Sequence, residues 1–208
     1  DEGLDRALNI LSQKVEIADC NCIASFPAEQ ISYRNTAIPF KARKKIHQVL
    51  PFELEPDLPL AIEDLVIDFH TIRSEDYTEL IAAAVQKAHL ESYLQKLAEY
   101  QIDPRTVVPN GYATAMALLR LTDMPPHCLL VDIDANKMTL FVIANKNVTL
   151  IRTFAVATDE SARAATIGTH VEQTLVFAEA DWSNGFQPEA LYISGGDLKP
   201  EMLTEIEN

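Results

Sequence analysis

At 208 residues, 48% of them hydrophobic, the chain can bury a sizeable core as one large domain or two modest lobes. Its net charge of −14 sets a background potential that repels nucleic acid and anionic lipid, and the one basic run, Lys41-Ala42-Arg43-Lys44-Lys45, is short enough to read as a solvated helix start. Cys20, Cys22 and Cys128 form an odd set with a C-x-C spacing, which fits neither a disulfide framework nor paired zinc knuckles; reduced thiols in a cytosolic compartment are the simplest account.

No apolar run approaches the ~18 residues that span a bilayer. Leu4, Leu8, Leu11 and Val15 recur at helical spacing, so Asp1 to Lys14 is expected to form an amphipathic helix, and a chain opening on such a helix reads as truncated. Cys22 to Phe26 and Ile31 to Ile38 read as short strands around a turn at Pro27 to Gln30. Lys41 to Leu50 has a helical pattern that Pro51 is expected to break, leaving an acidic loop with Glu53, Glu55 and Asp57. Leu65 to Phe69 and Tyr77 to Val85 read as strands, although the alanine run at 82–84 leaves the second ambiguous.

A helix is expected from Lys87 to Tyr100, then a strand from Thr106 to Val108, and Asn110 is placed as the N-cap of a helix reaching Leu121. Pro125-Pro126 marks the lobe boundary, giving an N-terminal lobe at 1–124 and a C-terminal half at 125–208. The segment that organises the rest is Leu129 to Val156, three strands joined by the turns Asp134-Ala135-Asn136-Lys137 and Asn145-Lys146-Asn147. Beyond it, Ala164, Ile167, Val171, Leu175, Ala178 and Trp182 recur at three and four residues, which predicts a helix from Asp159 to Trp182. The chain continues with a strand from Ala190 to Ser194 that runs into Gly195-Gly196, and a last helix starts near Pro200. The three-strand segment fits an ordinary β-meander as well as the half-domain core of an actin-like fold.

Three stretches together resemble the PilM/GspL-like family, actin-like cytoplasmic proteins of type IV pilus and type II secretion assembly platforms. They are Lys44 to Glu55 followed by Ile62 to Leu65, which is similar to a basic helix running into an ALPF-LE-type box; His89 to Asn110; and Val131 to Thr139 joined to Ile193-Ser194-Gly195-Gly196, which looks like a second phosphate loop and an adenosine-side turn. The resemblance implies an α/β, actin-like ATPase (ribonuclease H-like) fold, with mixed sheets flanked by helices in two lobes and its N-terminal strands missing. The 1–124 lobe would then be a partial actin-like half with an inserted subdomain. By the same resemblance Asp132, Asp134, Asn136, Lys137, Gly195 and Gly196 would line a nucleotide cleft.

Departures from the family pattern weigh against a working cleft. The family's nucleotide-binding members carry glycine at the place of Asp134 and a hydroxyl residue at that of Met138. Two unit charges ~4 Å apart at an effective dielectric near 20 repel by about 4 kcal/mol, so an Asp134 carboxylate facing phosphate costs about three decades of affinity. The expected function is therefore a scaffold without a cofactor, at the cytoplasmic face of an inner membrane. Its partners would be the assembly ATPase and inner-membrane platform subunits, and it would have no nucleic-acid partner. The expected partner surface holds Lys44, Lys45, Glu53, Glu55 and Asp57, and a homodimer is left open. The rival expectation is an active nucleotide-binding ATPase or sugar-kinase relative that uses ATP with magnesium. His47, His70, His89, His127 and His170 lack ligand spacing and are assigned no metal.

Overall fold

The computed structural model describes residues 2–15, 20–181 and 186–195. Three sheets organise it: a parallel pair, a three-stranded antiparallel sheet and a four-stranded mixed sheet. Among the described residues no helix is long and apolar enough to cross a membrane.

The mixed sheet is built from β6 (Cys128–Asp134), β7 (Lys137–Ala144), β8 (Asn147–Ala155) and β9 (Ala190–Gly195) in the order β8-β7-β6-β9. Its central strands are apolar at nearly every position because both faces are covered. Leu129, Val131 and Ile133 face α5 (Glu160–Asp181), while Cys128, Leu130 and Phe141 face the other way, into a core that also holds Ala115 and Ile81. The helix buries Ala164, Ile167, Thr174 and Ala178, with Val171 and Leu175 half-buried beside them, as the three-and-four spacing predicts. Fully burying a side chain such as Ile167 contributes about 1.5–3 kcal/mol. The described helix ends at Asp181, so the expected Trp182 end lies outside the described residues, as do Gly196 and the helix start near Pro200.

The three-stranded sheet has the order β2-β4-β3, from β2 (Ile31–Ile38), β4 (Thr78–Gln86) and β3 (Leu65–Ser74). The alanine run is strand: β4 is the central strand, paired on both sides, and its small side chains let Leu80, Ala82 and Ala84 pack closely. One face is covered by α2 (Arg43–Leu54). Here the expected break at Pro51 is corrected. The helix runs through Pro51 to Leu54, so Glu53 is helical, and the chain then tightens into a 3-10 turn at Glu55–Asp57. Ile46, Leu50 and Leu54, four residues apart, all enter one cluster with Ile38, Phe69 and Leu80, and that burial outweighs the lost Pro51 N–H bond. At the other end Ala42 is the N-cap, so Lys41 lies outside the helix.

The parallel pair joins β1 (Cys22–Phe26) to β5 (Pro104–Pro109). Strands β1 and β2, adjacent in sequence, therefore enter different sheets. Helices α1 (Glu2–Lys14) and α3 (Lys87–Glu99) bury Leu8 and Leu97 against this pair, together with Ile102. The short α4 (Tyr112–Leu118) follows β5, and its N-cap is Gly111 at φ +77° rather than the expected Asn110. The side chain of Asn110 instead accepts a 2.6 Å bond from Ser25 Oγ, and its backbone N–H donates to Phe26 O at 2.9 Å, stitching the parallel pair to the start of α4.

The three-stranded and mixed sheets meet at β8. Asn147 donates through Nδ2 to Ile72 O at 2.6 Å and Thr71 O at 3.2 Å, which assigns its Oδ1 as acceptor, 2.9 Å from His70 Nε2. The opposite ring nitrogen, His70 Nδ1, therefore accepts from the Tyr112 hydroxyl at 3.0 Å. Further along, Asn35 Nδ2 donates to Thr149 O at 2.7 Å. Between the sheets runs a groove of about 840 Å³ lined by Asn35, Thr36, Asn147, Thr149, Leu150 and Ala178 among others.

Candidate functional site

Parallel pairing of β6 with β9 brings Asp132 opposite Ser194 and Ile133 opposite Gly195. The Ser194 hydroxyl donates to Asp132 Oδ1. On the other side of the carboxylate stands Gly111: a Cβ there would lie 2.8 Å from Asp132 Oδ2, 2.9 Å from Asp132 Cβ and 2.7 Å from the Phe141 ring. The approach requires glycine twice over, for the left-handed φ and for the missing side chain. Gly195 is equally constrained. Its φ is +144°, and a Cβ would meet Ile133 O at 2.3 Å.

The hairpin from Asp134 to Lys137 closes at the end of β6, with those two residues paired across it. Ala135 takes φ +44°, and Asp134, Ala135 and Asn136 are exposed while Lys137 is half-buried. Two bonds hold the loop from behind. Val156 N donates to Asn136 O at 2.8 Å, and Arg163 Nη2, from the first turns of α5, donates to Ala135 O at 2.7 Å. The Nη2 bond ties the guanidinium to this turn, and its buried Nε finds no partner among the described residues.

Of the residues the sequence singled out, Asp132 and Gly195 thus come together at the β6–β9 contact, and Asp134, Asn136 and Lys137 share the adjoining hairpin. Gly196 lies outside the described residues. Ser194, Gly111 and Arg163 were not assigned roles from sequence. Ser194 was legible in retrospect, since its spacing to Gly195 places it opposite Asp132 once the strands pair. The glycine and the arginine depend on contacts that no local pattern announces.

The residues from Lys41 to Asp64 lie elsewhere, on the α2 side of the three-stranded sheet. Arg43 pairs with Asp68 at 2.8 Å and stacks 4.6 Å from the Phe69 ring, and Lys45 Nζ stands 3.9 Å over the Phe40 ring. Lys44, Glu53, Glu55 and Asp57 are exposed, and so is Phe52 at 66%. The acidic turn is anchored from below by Arg34 Nη2, which donates to Asp57 O at 3.1 Å. Basic and acidic groups thus sit on one exposed surface, the acidic end carrying an uncovered phenyl ring.

Residues 7–121 match the family described as type II secretion system (T2SS), protein L. A comparison with curated protein sequences finds no match. Among solved structures, the PilM-PilN type IV pilus biogenesis complex aligns with 98% of this chain and 73% of its own, at TM-score 0.71 and 14% identity. The cytoplasmic domain of EpsL, an inner membrane component of the type II secretion system of Vibrio cholerae, aligns with 98% of this chain and 79% of its own, at TM-score 0.58 and 14% identity. A Bacteroides thetaiotaomicron protein with an actin-like ATPase fold aligns at TM-score 0.54 and 10% identity, over 98% of this chain and 72% of that one. These likenesses establish the actin-like fold, and the family match covers more than half of the sequence. The chain belongs to the protein L family of type II secretion, within the PilM/GspL-like group, and is a component of a secretion or pilus assembly platform.

Proposed function

We propose that this chain is a non-catalytic scaffold at the cytoplasmic face of the inner membrane, docking the assembly ATPase and inner-membrane platform subunits and working without ATP. The observation that carries the reading is the Asp132 carboxylate. It would organise magnesium in a nucleotide-binding relative, yet here one oxygen accepts from Ser194 and the other abuts Gly111. Beside it, the turn where backbone N–H groups would cradle phosphate carries the exposed Asp134 and has a carbonyl held by Arg163. These residues fit a magnesium triphosphate poorly.

The Lys41 to Asp64 surface is the docking site in this reading. Support comes from its split polarity, from Phe52 beside Glu53 and Glu55, and from a backbone restrained by Pro51, Pro56 and Pro59, which lowers the entropy lost on binding. Titration calorimetry with Mg-ATP is expected to show negligible binding at millimolar nucleotide, and Asp134→Gly to raise any residual affinity. A dissociation constant in the low micromolar range would overturn the cofactor-free reading in favour of a nucleotide-binding ATPase. Charge reversal of Glu53, Glu55 and Asp57 is expected to weaken co-purification with the cognate assembly ATPase and to reduce its salt dependence, with the thermal midpoint nearly unchanged. Full, equally salt-dependent binding by that triple variant would remove this surface.

A further inference from the structure

Strand β8 is an outer strand of its sheet among the described residues, paired only with β7. Along its first half the neighbouring sheet reaches it through side chains, not through a strand ladder. The carbonyl of Thr149 points away from β7 and is met by the amide of Asn35. An open strand edge of this kind accepts an extended segment by backbone pairing. The groove of about 840 Å³ takes in Asn147, Thr149 and Leu150 of this strand together with Ala178 of α5.

Past Leu150 the same face of β8 carries Arg152 and Phe154. The Arg152 guanidinium lies 4.8 Å from the Phe154 ring and 5.2 Å from the Phe177 ring of α5. Its Nη1 makes two long bonds, 3.3 Å each, to Gln173 O and Thr174 Oγ1. Among the described residues no carboxylate pairs with it, in a chain with 31 acidic and 17 basic residues. Partial burial lowers its pKa, which an internal counterion would have opposed. Beside it Phe177 is 49% and Val176 67% exposed. An arginine held between aromatic rings with apolar surface around it is the composition of an interface centre, and its planar fork matches a carboxylate.

We propose that the open edge of β8, where the groove runs into the Arg152–Phe177 surface, receives an extended protein segment that carries an Asp or Glu beside an apolar side chain. The carboxylate pairs with Arg152, and alternate residues of the added strand place apolar groups against Leu150 and Phe177. This deepens the scaffold reading and rests on it, because the segment belongs to a platform subunit or to the assembly ATPase.

The test uses overlapping fluorescent peptides covering the cognate assembly ATPase and the cytoplasmic segments of the cognate platform subunits, titrated with the full chain and read by anisotropy. At least one peptide with an acidic residue is expected to bind. Arg152→Glu and Phe177→Ser should each weaken it about tenfold or more, Arg152→Lys less, and an acidic-to-arginine change in the peptide should recover binding to Arg152→Glu. Thermal midpoints identify any variant that fails to fold; in that case the substitution at the exposed Phe177 and the acidic-to-arginine peptide titrated against the unaltered chain, which should bind about tenfold more weakly, keep the inference falsifiable. The proposal fails if no peptide binds, if the bound peptide lacks an acidic residue, or if it is indifferent to both substitutions. Co-purification of the intact partners with the unaltered chain separates the two readings: partners retained with no peptide bound sinks this groove alone, whereas loss of every partner sinks the scaffold reading.

Discussion

The hydroxyl of Ser194 on β9 donates to the carboxylate of Asp132 on β6, across the register of two parallel strands. A hydrogen bond to a charged acceptor is worth about 1.5–3 kcal/mol. Ser194→Ala is therefore expected to lower unfolding free energy by about that amount in urea titrations, with an unchanged slope. Asp132→Ala should cost a similar amount, and the double variant less than the sum, because each single change already removes the bond. Additive losses would show that the pair is not coupled.

Gly195 and Gly111 are expected to be intolerant of any side chain. Gly195→Ala sets a Cβ against a backbone carbonyl that has no rotamer to adopt, and Gly111→Ala sets one against Asp132 and Phe141. Left-handed strain alone costs of order 1–3 kcal/mol, and the clashes add to it. Thermal unfolding should show a markedly lower midpoint for both, while Gly3→Ala, with open space around it in helix α1, should not lower it and serves as the control.

Asn147 braces the two sheets through three partners, His70, Thr71 and Ile72. Asn147→Ala leaves these groups unpaired and is expected to cost about 2–3 kcal/mol, against about 1 kcal/mol for Asn35→Ala, which loses one bond. Chemical denaturation of both variants checks the ranking.

Cys128 is fully buried, and burial with the nearby Glu189 pushes its thiol up to about 11 from 9.0. The folded state thus holds this proton more tightly than the unfolded chain. Below pH 9 the group contributes no pH dependence. From pH 9 to about 11 the unfolded state deprotonates first, so stability falls as pH rises through that window. Wild type should lose stability there more steeply than Cys128→Ala, and Cys128 should resist thiol reagents at neutral pH until the protein unfolds.

What the sequence disclosed was set by distance along the chain. Strands β6 to β8 and the buried face of α5 were readable because the apolar runs, the Asn145-Lys146 turn with both residues at positive φ, and the three-and-four spacing are all local. The parallel β1–β5 pairing was not, since Ser25 meets Asn110 across 85 positions. Pro51 misled because proline's local cost is visible while the burial of Leu54 that offsets it is tertiary. At the candidate site, the strand-end Asp132 and Gly195 had pattern signatures. Gly111 and Arg163 owe their placement to the packing of α4 and α5, on which periodicity is silent.

Asn147 also sets an order of assembly. It closes the β7–β8 hairpin, whose two strands are joined by a two-residue turn and can form on the microsecond scale. Its bonds to His70, Thr71 and Ile72 span more than 70 positions, so docking of the three-stranded sheet is expected to follow hairpin formation. Pulse-labelled hydrogen exchange is then expected to protect the amides of β7 before those of β3.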